Sequence, residues 1–278
     1  PPDSRNKMRR LVVPFVFVSC TLFAGPKQLL VLGQKPDGHP PGTHEYMPGA
    51  GVVAALMNDR KGVKVTIAQA DNPWPEGPAL IAKADGIVMF LNEGGRFIQD
   101  DPKRAKAFAA FAKRGGGLVV YHWGMGAKQV EHVGPFLELF GGCHGGPDRK
   151  YTVVKEAQFQ VASPKHPVMV GIHSFELPFE EFYYQLKVPK NPKNWTALIQ
   201  VPIEGNKETV GWAWERPDGG RSVGYSGLHF HVNWRHEQYQ RLISQAVLWT
   251  LKRPVPNGGI KLKLDSKVLE LRKSKASG

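Results

Sequence analysis

The chain has 278 residues, of which 41% are hydrophobic and 10% aromatic. This fits one large folded domain or two small ones and excludes a disordered chain. The formal net charge is +13. Much of it crowds the two ends, and no basic helix face, zinc finger or RNA-binding aromatic pattern accompanies it, so nucleic acid is not an expected partner.

In chain order, Lys7-Met8-Arg9-Arg10 and the apolar run Leu11 to Phe23 read as an export signal over residues 1–26. The run is too short for an ordinary membrane-spanning helix. Phe17-Val18-Ser19-Cys20 also resembles a lipobox, so a lipid on Cys20 is the alternative fate of this segment. Either way the protein is expected outside the cytoplasm, in the periplasm or beyond. Removal of the signal leaves Cys143 alone, which rules out a disulfide framework. In Gly141-Gly142-Cys143-His144 the thiol reads as a small buried hydrophobe sooner than as a nucleophile.

Short apolar runs then alternate with amphipathic stretches. Strands are expected at Leu29 to Leu32, Val63 to Ile67, Ile87 to Leu91 and Leu118 to Tyr121, with helices at Ala50 to Asn58 and Pro102 to Arg114. Near-continuous Val/Ile/Leu strands between helices argue for a parallel sheet covered on both faces. Ligands bind such sheets beyond the carboxyl ends of the strands. This directs attention to residues 33–46, 92–96 and 122–124. The second half is richer in strands, at Tyr151 to Val154, Phe159 to Val161, Trp195 to Ile199, Val210 to Trp214 and Ser222 to Tyr225. A closing helix follows at Glu237 to Leu251, and residues 253–278 read as a basic, peripheral tail.

Several segments carry residues suited to chemistry. His39-Pro40-Pro41-Gly42-Thr43-His44-Glu45 places two histidines and a glutamate on a rigid loop, a set that binds metals or moves protons. The strand running into His122-Trp123-Gly124 has the form of a nucleophile elbow. Its elbow residue is His122 or Trp123, in place of Ser or Cys, and His122 suits an acid/base or a ligand. His144 lies on a Gly-rich loop that can reach the same edge. Glu180 and Glu181 point in different directions, so at most one faces a pocket; Glu181, nearer Tyr183, is the candidate. Arg221 suits a substrate hydroxyl or carboxylate, and His229 suits a ligand. Trp74, Trp123 and Trp234 fall near strand ends, where they suit stacking on sugar rings. No G-x-G-x-x-G follows the first strand and no Gly-Lys-Ser/Thr occurs, so a nucleotide cofactor is not expected.

Taken together over residues 27–252, these segments resemble the ThuA-like (trehalose utilisation) family of the class I glutamine amidotransferase-like superfamily. The resemblance implies an α/β, flavodoxin-like three-layer sandwich with a mostly parallel central sheet and extra β-rich elements in the second half. It also implies that His122 takes the position of the amidotransferase cysteine, so amidotransfer is not expected. The implied function is carbohydrate utilisation, of trehalose or keto-sugars, by an isomerase, lyase or hydrolase. In that reading His122, Glu45 and Glu181 do acid–base work on a sugar carbonyl or glycoside. Glu93, Trp123, Tyr183 and Arg221 hold the sugar, and His44, His144 and His229 offer ligands to a divalent metal such as zinc. The rival reading is a non-catalytic sugar-binding or accessory envelope protein. The partner expected is a small-molecule carbohydrate, with a membrane reached only through a lipid anchor and self-association left open.

Overall fold

Nine strands form one sheet, and its order explains where a site can lie. The computed structural model describes residues 25–58, 60–190 and 192–271; the expected export segment to residue 24, with Cys20, lies outside them. β1 (Lys27–Gly33) leads through α1 (Tyr46–Asn58) to β2 (Val63–Gln69), and α2 (Gly77–Lys83) leads to β3 (Gly86–Met89). α3 (Gly94–Gln99) and α4 (Pro102–Lys113) precede β4 (Gly117–Tyr121). Next come β5 (Gly126–Ala127), α5 (Val130–Phe140) and β6 (His144–Gly145), the two short strands pairing with each other. The antiparallel elements are β7 (Lys150–Val161), β8 (Phe175–Tyr184), β9 (Trp195–Ile203) and β10 (Asn206–Glu215). β11 (Arg221–Tyr225) and α6 (Glu237–Thr250) complete the domain.

The sheet order is β2-β1-β3-β4-β11-β10-β9-β7-β8. The first five strands run parallel, in the flavodoxin-like arrangement. The last four extend the sheet antiparallel. Alternate side chains of the parallel strands enter two separate cores, as strand geometry requires. Leu29, Val31, Val88, Val119 and Tyr121 pack under α1 and α6. Leu30, Leu32, Ile87, Leu118 and Val120 pack against the opposite helices through Phe108, Phe111, Phe136 and Phe140. Asp101 caps α4 by accepting from the backbone N–H groups of Lys103 and Arg104, with Pro102 in the first turn where its missing N–H costs nothing.

Three expectations need correction. The runs at 151–154 and 159–161 are parts of one strand, β7; the polar Lys155 and Glu156 between them lie on its exposed side. β8 was not among the expected strands, because its alternation is interrupted by acidic residues that turn out to be buried or half-buried. The tail is not peripheral. Ile260 and Leu269 are buried in the α1/α6 core, and the Ile260 N–H donates to the Gln245 side chain. No helix among the described residues is long and apolar enough to cross a membrane.

Gly94, at the start of α3, lies so close to the loop after β4 that an added Cβ would collide with the Gly124 carbonyl. Gly51, inside α1, has open space at the same position. Gly94→Ala should therefore destabilise by about 1–3 kcal/mol through forced backbone movement. Gly51→Ala should stabilise by roughly 0.5–1 kcal/mol, the helix cost of glycine. Urea unfolding of the two variants checks the contrast.

Candidate active site

β4 ends at Tyr121, and the chain turns sharply at His122, whose φ is +46°. His44 (φ +50°), Glu93 (φ +44°) and Leu228 (φ +78°) adopt the same left-handed region at this edge of the sheet. Backbone strain of this kind concentrates at functional sites. The buried His122 ring lies against three groups: its Nε2 is 3.0 Å from His44 Nε2, 3.0 Å from His229 Nδ1 and 3.1 Å from the Tyr183 hydroxyl. Glu181 Oε1 lies 3.6 Å from His122 Nε2 and 3.5 Å from His229 Nδ1. One ligand atom from each of His44, His122, Glu181 and His229 falls within 4.8 Å of all the others.

Each member is fixed from behind. His122 Nδ1 is 2.7 Å from the Ser226 carbonyl, to which it can only donate. His44 Nδ1 lies 2.9 Å from Asp37 Oδ2, which also accepts from the Tyr46 hydroxyl at 2.7 Å. Backbone bonds link the loop of His44 to the segment of His229: the His44 N–H donates to the His229 carbonyl, and the His231 N–H to that of Gly42. Glu180 accepts from the backbone N–H groups of Leu228 and His229 and from the side chains of Asn233 and Tyr239. Its neighbour Glu181 points to the other face of β8, as successive strand residues must, and so reaches the histidines.

Burial sets the charges. It lowers His122 well below the ordinary histidine range, aided by His44 and His229, and takes His229 down to about 3, aided by His44 and His39. His44 is lowered by burial in spite of Asp37. Burial alone would raise the Asp37 carboxyl, but hydrogen bonds from His44, Tyr46 and His39 outweigh it and hold it low. Burial raises Glu181 to about 7, with His39 opposing. The three imidazoles are thus neutral, the form in which histidine binds metals.

The tautomers then decide what the cluster can accept. With Nδ1–H given to Asp37 and to Ser226, His44 and His122 present lone pairs from Nε2 atoms only 3.0 Å apart. The Tyr183 hydroxyl has one proton and can satisfy His122 alone. A cation between them would satisfy both converging lone pairs. Zinc–nitrogen bonds of about 2.0–2.1 Å place tetrahedral ligand atoms roughly 3.3 Å apart, close to the 3.0–3.6 Å spacings around His122. A carboxylate behind a ligating histidine, as Asp37 stands behind His44, is the usual support of a metal ligand. The donor set fits a divalent metal held by His44, His122 and His229, with Glu181 alongside.

His44, Glu181 and His229 line a cavity of about 410 Å³, with His122 fully buried behind them; its walls include Trp123, His144, Tyr151, Tyr183, Lys128 and Arg149, a size suited to a small molecule. Tyr183 stacks between His122 and His144, at ring separations of 4.5 and 3.9 Å.

Four candidates from the sequence take other places than expected, His144 still within the cavity wall. His144 is outside the ligand cluster, its ring committed to the Tyr183 stack. Glu45 accepts from the Gly42 N–H and does not line this cavity. Glu93 is buried and accepts from the Lys128 backbone N–H, so it shapes the wall from behind. Arg221 opens β11, next to the residue paired with Leu118. It stands four residues, about 13 Å, from the end nearest His122, and packs on Trp249. Of the three tryptophans, Trp74 and Trp234 are buried core residues and Trp123 lines the cavity. The sequence reading missed Asp37, although it is an acid two residues before His39 on the same loop, and also Lys128, Arg149 and Tyr151.

A family model described as "Trehalose utilisation" matches residues 37–250. The chain belongs to the ThuA family. Two ThuA-like proteins of known structure share its fold. The one from Parabacteroides merdae ATCC 43184 is 13% identical with a TM-score of 0.64, over 89% of this chain and 100% of that one. The one from Bacteroides uniformis ATCC 8492 is 17% identical with a TM-score of 0.62, over 83% and 94%. A β-galactosidase from Rahnella sp. R3 aligns over 85% of this ThuA chain and 33% of its own, at 10% identity and a TM-score of 0.53. No curated protein matches the chain.

Cys143 is buried, its thiol donates to the Met125 carbonyl, and burial pushes it up to about 12. A buried thiol of this kind is inert. In native protein Cys143 should resist iodoacetamide near neutral pH, while urea unfolding exposes it to alkylation; mass spectrometry of the peptide that carries it checks this, and rapid native labelling of Cys143 would contradict it.

Proposed function

We propose that this ThuA-family protein is a metal-assisted carbohydrate enzyme, exported from the cytoplasm, that does acid–base chemistry beside a sugar carbonyl. The observation that carries this is the convergence of the His44, His122 and His229 nitrogens and a Glu181 oxygen, with His44, His229 and Glu181 lining an aromatic-walled cavity and His122 buried behind them. A divalent metal held by the three histidines would supply Lewis-acid polarisation of the carbonyl. Glu181, with a carboxyl raised to about 7 by burial, suits a general base, whose ideal pKa lies near working pH. It takes the proton from the carbon next to the carbonyl. Returning that proton to the former carbonyl carbon, while the hydroxyl proton of the α-carbon passes to the former carbonyl oxygen, gives isomerisation; departure of a leaving group from the β-carbon gives elimination. Tyr183, held protonated by burial and the nearby Glu181 charge, hydrogen-bonds and orients the sugar oxygen. The amidotransferase nucleophile position holds His122, so no thioester forms there.

Elemental analysis of the purified protein is the direct test. A divalent metal near one per chain is expected, lost in His122→Ala and His44→Ala. Asp37→Asn should weaken metal affinity by about 10–100-fold, the usual effect of removing such a support. Glu181→Gln should keep the metal and lose turnover on keto-sugars, by about 100-fold or more for a lost general base. Full turnover in Glu181→Gln would sink the base assignment. The Trp123 and Tyr151 walls also suit a non-catalytic sugar-binding protein; slow sugar exchange without turnover in any assay would favour that reading.

A further inference from the structure

Two cations reach the cavity from separate segments, Lys128 after β5 and Arg149 before β7. Among the described residues no carboxylate lies within 4.0 Å of Arg149, whose Nη1 is anchored at 2.8 Å to the Gly146 carbonyl. Lys128 Nζ sits 5.6 Å over the Trp123 ring and 4.0 Å from Glu93 Oε2, a carboxylate that Arg96 approaches at the same distance. Glu181 is the only acidic residue lining the cavity, and the histidine cluster engages it. The wall formed by Lys128 and Arg149 therefore carries more positive charge than the one lining carboxylate, Glu181, can offset.

We propose that this wall binds an anionic group of the substrate, so that the cavity selects a charged sugar, with a carboxylate or a phosphate, over a neutral one. The inference rests on the reading of the cavity as a carbohydrate site. A guanidinium anchored through one nitrogen keeps its remaining donors for a planar carboxylate or a phosphate. Trp123 and Tyr151 offer ring faces to the apolar side of the sugar. The sugar thus lies between two anchors, its anionic group on Arg149 and Lys128 and its reacting carbon beside Glu181.

Calorimetric titration of the purified protein with glucuronate, glucose 6-phosphate, glucose and trehalose tests this. At least one of the two anions should bind roughly tenfold or more tightly than glucose, the worth of one good charged hydrogen bond. Arg149→Gln and Lys128→Gln should each erode that preference while leaving melting temperature and metal content unchanged. Glucuronate preferred over glucose 6-phosphate identifies a sugar acid, and the reverse a sugar phosphate; either outcome supports the proposal. Neutral sugars binding as tightly as both anions, no binding of any probe, or a preference that survives both substitutions would overturn it. Metal content in the same samples separates the two claims. Anion preference without metal removes the metal centre alone, and metal without anion preference removes the charge assignment alone.

Discussion

The carboxylate of Glu180 joins the two halves of this molecule. It sits fully buried on β8, in the antiparallel extension, and accepts from the backbone of Leu228 and His229, which follow the last parallel strand. Asn233 and Tyr239 add two further donors. Burial still prevails and raises the carboxyl to about 7. Removing one partner of such a buried network leaves the others unpaired, at a cost of several kcal/mol. Because Glu181 is the next residue, the same clamp sets the distance between a carboxylate from the extension and histidines from the parallel half.

The cluster shows how second partners decide chemistry. Three histidines in contact, each lowered by burial, would be a poor way to stabilise a fold. Asp37 and the Ser226 carbonyl fix two tautomers so that the free nitrogens face inward. The strained φ values of His44 and His122 aim the rings at one point. Strain, desolvation and lone-pair repulsion all act at one spot, and a bound cation relieves the last of these.

What the sequence made legible followed from periodicity and strand direction. The parallel strands, the loops at their carboxyl ends and the His122 elbow all come from apolar runs followed by turn residues. The opposite facing of Glu180 and Glu181 comes from strand alternation. Arg221 was misplaced because it opens its strand, and so stands at the amino edge while His229 beyond the strand reaches the carboxyl edge. Glu45 adjoins a cluster residue, yet the left-handed turn at His44 directs its side chain back to Gly42. His144 is drawn into an aromatic stack that no local pattern announces. Asp37 in Pro36-Asp37-Gly38 reads as an ordinary turn, and its role exists only once His44 and Tyr46 fold against it.

The four cluster residues come from positions 44, 122, 181 and 229, so the site closes almost the longest loops that the domain contains. Contacts this distant in sequence form late, because loop-closure entropy must be overcome before they stabilise anything. A chain that stops between residues 225 and 229 has every parallel strand and still lacks a complete centre. A metal that required all three histidines would therefore bind only once synthesis and folding of the domain had both finished, and would lock the sheet edge together only then.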